Sequence, residues 1–206
     1  MIRHGKSTDY AELGHIAYET GYFGENAETF FPDRALFSEL WIRPYLDGVG
    51  CCNFVVQSQG LVTGYIIGTC DLDAYGRYFV RQTPKLLRGL LTGGYPRWRG
   101  CLPYLLRMLR YPSKTAPTKD FPAQLHINLL PESRGQGLGS QLLETYLECL
   151  KRKNVPGVQL STTRENEAAI GLYKKVGFEV WLEYESPLWR PWLGRDAVHV
   201  VMTKRL

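Results

Sequence analysis

The most informative segment of the sequence is Leu129-Leu130-Pro131-Glu132-Ser133-Arg134-Gly135-Gln136-Gly137-Leu138-Gly139-Ser140. The segment begins at the end of a predicted strand, Gln124 to Leu130. It leads into a helix whose apolar residues recur every three or four positions. Three glycines within five residues allow a sharp turn and let backbone N–H groups approach a ligand closely. The start of a helix also favours negative charge, so this loop predicts an anion site with a pyrophosphate as its natural occupant.

Two common phosphate-binding loops do not fit this stretch. No Gly-Lys-Ser/Thr follows, which excludes a Walker loop, and the glycines at 135, 137 and 139 lack the G-x-G-x-x-G spacing of a Rossmann turn. On the local pattern alone, a glycine-rich turn that binds nothing is the alternative.

Two motifs resemble those of a known family. Arg134-x-x-Gly137-x-Gly139 is similar to the R/Q-x-x-G-x-G/A signature of the GNAT superfamily of acyl-CoA-dependent N-acyltransferases. The block from Asn166 to Phe178 is similar to that family's N-x-x-A-x-x-L/F-Y-x-x-x-G-F element. The segment from Phe121 to Pro131 also looks like the acetyltransferase-like domain of O-GlcNAcases. The chain resembles a free-standing relative of those domains, with an intact loop that some of them have lost.

Hydrophobic periodicity predicts the order of elements around the loop. Two N-terminal helices precede a hairpin of two strands, and after an inserted segment strands and helices alternate to the C-terminus. This pattern predicts an α/β (α+β) chain with a mixed, mostly antiparallel twisted sheet of about seven strands flanked by helices. The resemblance implies the GNAT acetyltransferase fold, with residues 1–206 forming a single domain that carries a helical insert between its third and fourth strands.

The positive charge is concentrated in that insert. The chain has a net charge of +5, while residues 72–122 hold ten basic and two acidic residues. We predict two amphipathic helices there, because a segment of about 50 residues is too long for a structureless loop. As a lid over an acceptor groove, Arg77, Arg81, Arg97 and Arg99 would favour an anionic acceptor. The alternatives are a solvated surface or, less favoured, contact with nucleic acid or a membrane surface.

The five cysteines, at positions 51, 52, 70, 101 and 149, form neither a C-x-x-C motif nor a Cys/His ligand set. An odd number without such spacing argues against a disulfide framework or a zinc site, and we predict no metal. Reduced thiols and an N-terminus without an apolar leader favour a cytoplasmic location. No run approaches about 18 apolar residues, so no transmembrane segment is predicted.

The resemblance implies acetyl-CoA (coenzyme A) as the cofactor and direct acetyl transfer to an amine acceptor in a ternary complex. Backbone N–H groups of the loop would hold the pyrophosphate. The strand before the loop would pair with pantetheine, and one of its N–H groups would polarise the thioester carbonyl. The implied cofactor-binding residues are Ile127, Leu129, Leu130, Arg134, Gly135, Gln136, Gly137, Leu138, Gly139, Ser140, Asn166 and Tyr173.

Two residues are predicted to be catalytic. Tyr173 matches the family tyrosine that protonates the departing thiolate, and a phenol with a pKa of about 10 holds its proton at neutral pH. From its helical position alone, Tyr173 could equally be a core aromatic. The base is less defined, because Ser161 stands where some family members have Glu. His126, with an ordinary pKa of about 6.5, is the predicted base; Asp71, Asp73 or water are the alternatives.

A non-catalytic module that binds acetyl-CoA or a protein partner through the same groove is the rival hypothesis. Cys149 lies within the helix after the loop, a poor place for a nucleophile, so an acyl-enzyme is disfavoured. Trp181, Trp189 and Trp192 are predicted to be exposed and could support a homodimer. The acceptor stays open among small amines, amino acids, aminosugars, antibiotics and proteins.

Overall fold

The computed structural model describes all residues, 1–206, and contains eight α-helices and seven strands. The helices are α1 (Tyr10–Glu19), α2 (Arg34–Trp41), α3 (Arg43–Leu46), α4 (Leu72–Leu91), α5 (Trp98–Arg110), α6 (Leu138–Arg152), α7 (Glu167–Lys175) and α8 (Arg190–Leu193). The strands are β1 (Ile2–His4), β2 (Phe54–Ser58), β3 (Leu61–Thr69), β4 (Ala123–Leu129), β5 (Gly157–Thr163), β6 (Glu179–Ser186) and β7 (Ala197–Arg205).

The strands form one sheet in the order β1-β2-β3-β4-β5-β7-β6. All neighbours are antiparallel except β4 and β5, which run parallel. The predicted mixed, mostly antiparallel sheet of about seven strands is therefore confirmed. The hydrophobic pattern does not show β1, because its three residues are too few for a periodicity.

Each face of the sheet has its own helices and its own core. One face carries α1, α2 and the inward sides of α4 and α5, and its core is rich in aromatic residues such as Phe30, Phe31 and Tyr45. The other face carries α6 and α7. The apolar stripe predicted for α6 is buried there, with Leu142 and Leu143 fully inaccessible to solvent.

Strands β4 and β5 pair at one end only. Two residue pairs join them, Ala123 with Val158 and Gln124 with Gln159. Beyond these pairs, β4 continues to pair with β3 and β5 with β7 as far as their last residues. The two strands therefore diverge in the middle of the sheet, and their facing edges leave backbone groups unpaired.

The chain between β3 and β4 contains both predicted insert helices, α4 and α5. Helix α4 begins at Leu72 because the side chain of Asp71 caps it, accepting a hydrogen bond from Ala74 N at 2.9 Å. No residue of α4 is buried. The exposed apolar residues of α4 and α5 include Val80, Leu87, Leu91, Leu106 and Leu109.

The structure pairs four of the five cysteines, so the expectation that the chain lacks disulfides is wrong. Cys51 is bonded to Cys70 and Cys52 to Cys149, with Cα–Cα distances of 5.7 and 5.8 Å. Cys101 is free and buried. Sequence spacing does not show these bonds, because the fold brings together residues that are 19 and 97 positions apart.

Of the three tryptophans predicted to be exposed, only Trp181 is, at 52%. Trp189 is buried in the aromatic core, and Trp192 packs against it.

None of the helices combines the length and the apolar character needed to cross a bilayer. No three His, Cys, Asp or Glu side chains are grouped so that they could hold a metal ion.

Candidate active site

The loop between β4 and α6 has a backbone conformation that favours glycine. Gly135 and Gly137 both have a φ of +74°, in the left-handed region. Gly137 directly precedes the first residue of α6. A Cβ at Gly135 would meet no atom within 4 Å, so backbone conformation rather than crowding requires glycine there.

The N–H groups of this loop are available to a ligand. None of residues 135–140 donates a hydrogen bond to another backbone group, and the first such bond of α6 runs from Gln141 N to Gly137 O at 3.2 Å. The positive end of the helix dipole lies at the same point. Converging N–H donors at a helix start are the arrangement that binds phosphate groups.

The side chain of Arg134 holds the loop in place. Its Nε donates to Leu129 O at 3.0 Å, and its Nη2 donates to Gly24 O at 2.8 Å. Gly24 lies in the connection between α1 and α2. The guanidinium therefore ties the end of β4 and the loop to that connection.

Gly139 sets how closely α6 approaches its neighbours. A Cβ at this position would lie 3.0 Å from Leu172 Cδ2 and 3.4 Å from Leu129 Cδ1. A larger residue would push α6 away from α7 and β4. The motif glycines thus have two separate purposes, since two permit the turn and the third permits close packing.

A groove, which we call the loop groove, extends from this loop to the divergent part of β4. The predicted site residues that line it are Ile127, Leu129, Arg134, Gly135, Gly137, Gly139, Ser140, Asn166 and Tyr173. Three of the predicted cofactor-binding residues do not line it. Leu130 and Leu138 pack against the two hydrophobic cores, and the side chain of Gln136 donates to Glu132 O at 2.7 Å. Phe23 and Gly24 line the loop groove from the α1–α2 connection, which the motifs do not indicate.

A second groove, which we call the aromatic groove, meets the loop groove. Its apolar wall includes Phe30, Tyr104 and Trp189, with the Phe30 ring centroid 4.6 Å from Tyr104 and 4.9 Å from Trp189. Its other wall is formed by β4 and β5 and carries hydroxyl side chains. The residues that line both grooves are Thr20, Phe23, Gly24, Ile127, Asn128, Asn166 and Tyr173.

Tyr173 lies on α7 where the two grooves meet and is only 7% exposed. Its ring centroid is 5.9 Å from that of Phe178. Burial raises the pKa of the phenol above its ordinary value, so Tyr173 keeps its proton at neutral pH. The residue therefore belongs to the core and at the same time lines both grooves.

The lining of the aromatic groove contains no Asp, Glu, Lys or Arg. The insert contributes only Tyr104, Met108 and Ser113 to it. None of Arg77, Arg81, Arg97 and Arg99 lines the aromatic groove, and their role in a lid stays a prediction. Two of these arginines form ion pairs at the surface: Arg77 with Asp71 at 3.4 Å and Arg97 with Glu28 at 2.8 Å.

His126 lines the aromatic groove, and its ring lies edge-on to that of Tyr45, with the centroids 5.4 Å apart. Burial lowers the pKa of His126 to about 4. The imidazole is therefore neutral at pH 7 and a weak proton acceptor. Asp71 and Asp73, the alternative bases, line neither groove.

Sequence reasoning missed His199, which lies on β7 and lines the aromatic groove at 5% exposure. It is the cross-strand partner of Thr163, and both His199 Nε2 and Thr163 Oγ1 are buried without a hydrogen-bond partner. Burial lowers the pKa of His199, and the negative charge of Glu165 partly opposes that shift. No sequence signal singles out this pair, because only the register of β5 against β7 brings it together.

Residues 108–178 match the family model described as Acetyltransferase (GNAT) family. The matched segment includes the loop, Asn166 and Tyr173. Over this segment the chain is similar to GNAT acetyltransferases.

Curated proteins match this chain over short segments. Mycothiol acetyltransferase from Paenarthrobacter aurescens is 36% identical over 55 residues, which are 27% of this chain and 17% of that protein. N-alpha-acetyltransferase 30 from Schizosaccharomyces pombe is 34% identical over 75 residues, which are 36% of this chain and 47% of that protein. The chain thus spans less than half the length of these relatives.

Solved structures match along the whole chain. The crystal structure of SsHAT has a TM-score of 0.69 and 23% identity, and the similarity covers 100% of this chain and 97% of that one. A GNAT superfamily phosphinothricin acetyltransferase from Sinorhizobium meliloti, solved in complex with AcCoA, has a TM-score of 0.59 and 16% identity, covering 100% and 88%. These similarities confirm the predicted GNAT fold, while the likeness to O-GlcNAcase domains stays a prediction.

Proposed function

We propose that this chain transfers the acetyl group of acetyl-CoA directly to an amine acceptor. The observation that carries the proposal is the set of free N–H groups of residues 135–140 beside the divergent edges of β4 and β5. These N–H groups would bind the pyrophosphate, and the unpaired edge of β4 would pair with pantetheine as an added strand. The S. meliloti acetyltransferase in complex with AcCoA supports this choice of cofactor.

In the proposed reaction the acceptor nitrogen attacks the thioester carbonyl carbon. A backbone N–H near Ile127 stabilises the developing oxyanion. The carbon–sulfur bond breaks, the new carbon–nitrogen bond makes the amide, and Tyr173 gives its phenolic proton to the departing thiolate. The proton lost by the amine goes to His126, the base that the sequence predicts, or to water.

Calorimetry with acetyl-CoA tests the cofactor site. Ser140→Glu places a negative charge at the start of α6 without a change of backbone conformation, and Gly137→Glu adds strain at a positive φ. We expect both variants to bind acetyl-CoA at least tenfold more weakly than the wild type, because like charges repel at the pyrophosphate site.

Gly76→Glu, on the exposed side of α4 with open space around its Cα, is the matched control and should bind normally. Thermal unfolding of each variant shows whether it is folded. Absence of binding by the wild type, or undiminished binding by a folded Ser140→Glu, would overturn the proposal.

A domain that binds acetyl-CoA without transferring the acetyl group is the second candidate. The same free N–H groups of residues 135–140 would bind the cofactor in such a domain, and no base near the acceptor would be needed. Thiol release across a panel of primary amines separates the two candidates. Transfer predicts release that Tyr173→Phe slows even when the variant is saturated with acetyl-CoA, whereas a binding module releases no thiol with any amine.

The cytoplasmic location and the homodimer stay predictions. Disulfides persist in oxidising compartments and are rare in reducing ones, so the two cystines argue against the cytoplasmic prediction. Trp181 is the one predicted interface tryptophan that is exposed and free to contact a second copy.

A further inference from the structure

We propose that the aromatic groove binds acceptor amines that carry an aromatic ring and no anionic group, with the amine at Thr163 and His199. This inference rests on the proposed acetyl transfer and names its acceptor class.

The apolar wall of the groove fits a flat ring. Phe30, Trp41, Tyr104 and Trp189 all line it, and their ring centroids lie within 4.6 to 6.2 Å of a neighbour in the same set. An aromatic ligand can stack or pack edge-on against such a surface at these separations. The ring faces also attract an ammonium group, which an amine acceptor carries at neutral pH.

The absence of positive charge in the groove disfavours an anionic acceptor. Its lining contains no Lys or Arg that could pair with a carboxylate or phosphate. Burying such a group without a partner is unfavourable, because the charge loses its hydration and gains no ion pair. The excess positive charge of the insert does not help, since its arginines lie outside the groove.

The polar end of the groove is formed by two adjacent side chains. Thr163 and His199 are paired across β5 and β7, and they are 6% and 5% exposed. Their Oγ1 and Nε2 atoms have no hydrogen-bond partner within the protein. Buried polar atoms in native proteins are nearly always satisfied, so this unpartnered pair indicates a ligand that supplies N–H or O–H groups.

This polar end is close to the place where acetyl transfer would occur. Asn166 N donates to Thr163 O at 3.0 Å, and Asn166 lines both grooves together with Tyr173. An amine bound to Thr163 and His199 is therefore near the junction with the loop groove. Neutral His199 can accept a hydrogen bond from the amine at this point.

Rates of thiol release with three matched amines test the acceptor class. 2-Phenylethylamine has the ring and the amine, phenylalanine adds a carboxylate, and n-butylamine lacks the ring. We expect kcat/KM for 2-phenylethylamine to exceed that of each of the others at least tenfold. Equal rates for n-butylamine, or a preference for phenylalanine, would overturn the inference while leaving the proposed acetyl transfer intact.

Variants of the polar end test its residues. Thr163→Val keeps the side-chain shape and removes the hydroxyl, and we expect it to raise KM for 2-phenylethylamine at least fivefold with unchanged acetyl-CoA affinity. Thr203→Val is the matched control, because Thr203 is equally buried in the same sheet but lines neither groove. Unchanged KM in a folded Thr163→Val would contradict the assignment, as would an equal effect of Thr203→Val.

If no amine releases thiol, the proposed function fails and the groove is tested by binding alone. Calorimetry of 2-phenylethylamine against the full chain in the presence of coenzyme A should then show binding that Thr163→Val weakens. No detectable binding of 2-phenylethylamine under these conditions would overturn the inference as well.

Discussion

His126 lies on β4 and lines the aromatic groove. The ordinary pKa of a histidine is about 6.5. The structure places its ring against Tyr45, and burial lowers its pKa to about 4. The residue is therefore a site at which folding and proton binding compete.

We predict that acid destabilises the fold through His126. The unfolded chain binds a proton at about pH 6.5, whereas the folded chain binds it only at about pH 4. Stability from this residue is complete above pH 6.5 and is lost progressively down to pH 4, a difference of about 3 kcal/mol. Urea unfolding at pH 7 and pH 4.5 measures the loss, and His126→Gln should reduce it. His15→Gln, at the surface, should retain the wild-type loss; a wild-type loss in His126→Gln would contradict the prediction.

The motif residues show how much of the site the sequence predicts. Glycine spacing correctly places Gly135 and Gly137 at the turn, because their role depends on local backbone conformation. It does not reveal that Arg134 binds two carbonyl groups, since one of them belongs to the distant Gly24. Nor does it reveal His199, whose place in the groove depends on strand register.

Among the elements, those with long periodic patterns are predicted best. The stripe of α6 and the strands around it are identified correctly, because each has enough residues to show its period. The second of the two predicted N-terminal helices is instead a pair of helices, α2 and α3. It breaks at Ile42 because Pro44, in the first turn of α3, cannot donate to the preceding turn.

We predict that the insert arginines do not bind the acceptor. Replacing Arg77, Arg81, Arg97 and Arg99 by Gln should change the acceptor KM less than twofold, because none of the four lines the aromatic groove. Steady-state kinetics with 2-phenylethylamine measure this.

Met108→Glu, on the side of α5 that lines the groove, is the contrasting variant and should raise KM. A severalfold rise in KM for the variant with all four arginines replaced would show that these arginines contribute to acceptor binding.

Two disulfides cross-link the domain, although composition and cysteine spacing predicted none. They join segments that are distant in sequence: the start of β2 to the end of β3 and to α6. The chain therefore does not depend on its two cores alone, although its length would allow that.

We predict that reduction lowers the stability of the whole domain. A native disulfide typically contributes about 2–5 kcal/mol, and the longer loop contributes more. Thermal unfolding with and without dithiothreitol should show a clear decrease in Tm. Alkylation after denaturation should label only Cys101 in the untreated protein and all five cysteines after reduction. Labelling of all five without reductant would show that the bonds do not form.

The Cys52–Cys149 bond also closes a covalent ring of the chain that contains the insert. Residues 72–122 lie entirely within the ring that this bond closes, and α4 presents no buried residue to protect it. A protease that nicks the insert once would therefore leave two fragments that migrate together on a non-reducing gel and separate only after reduction.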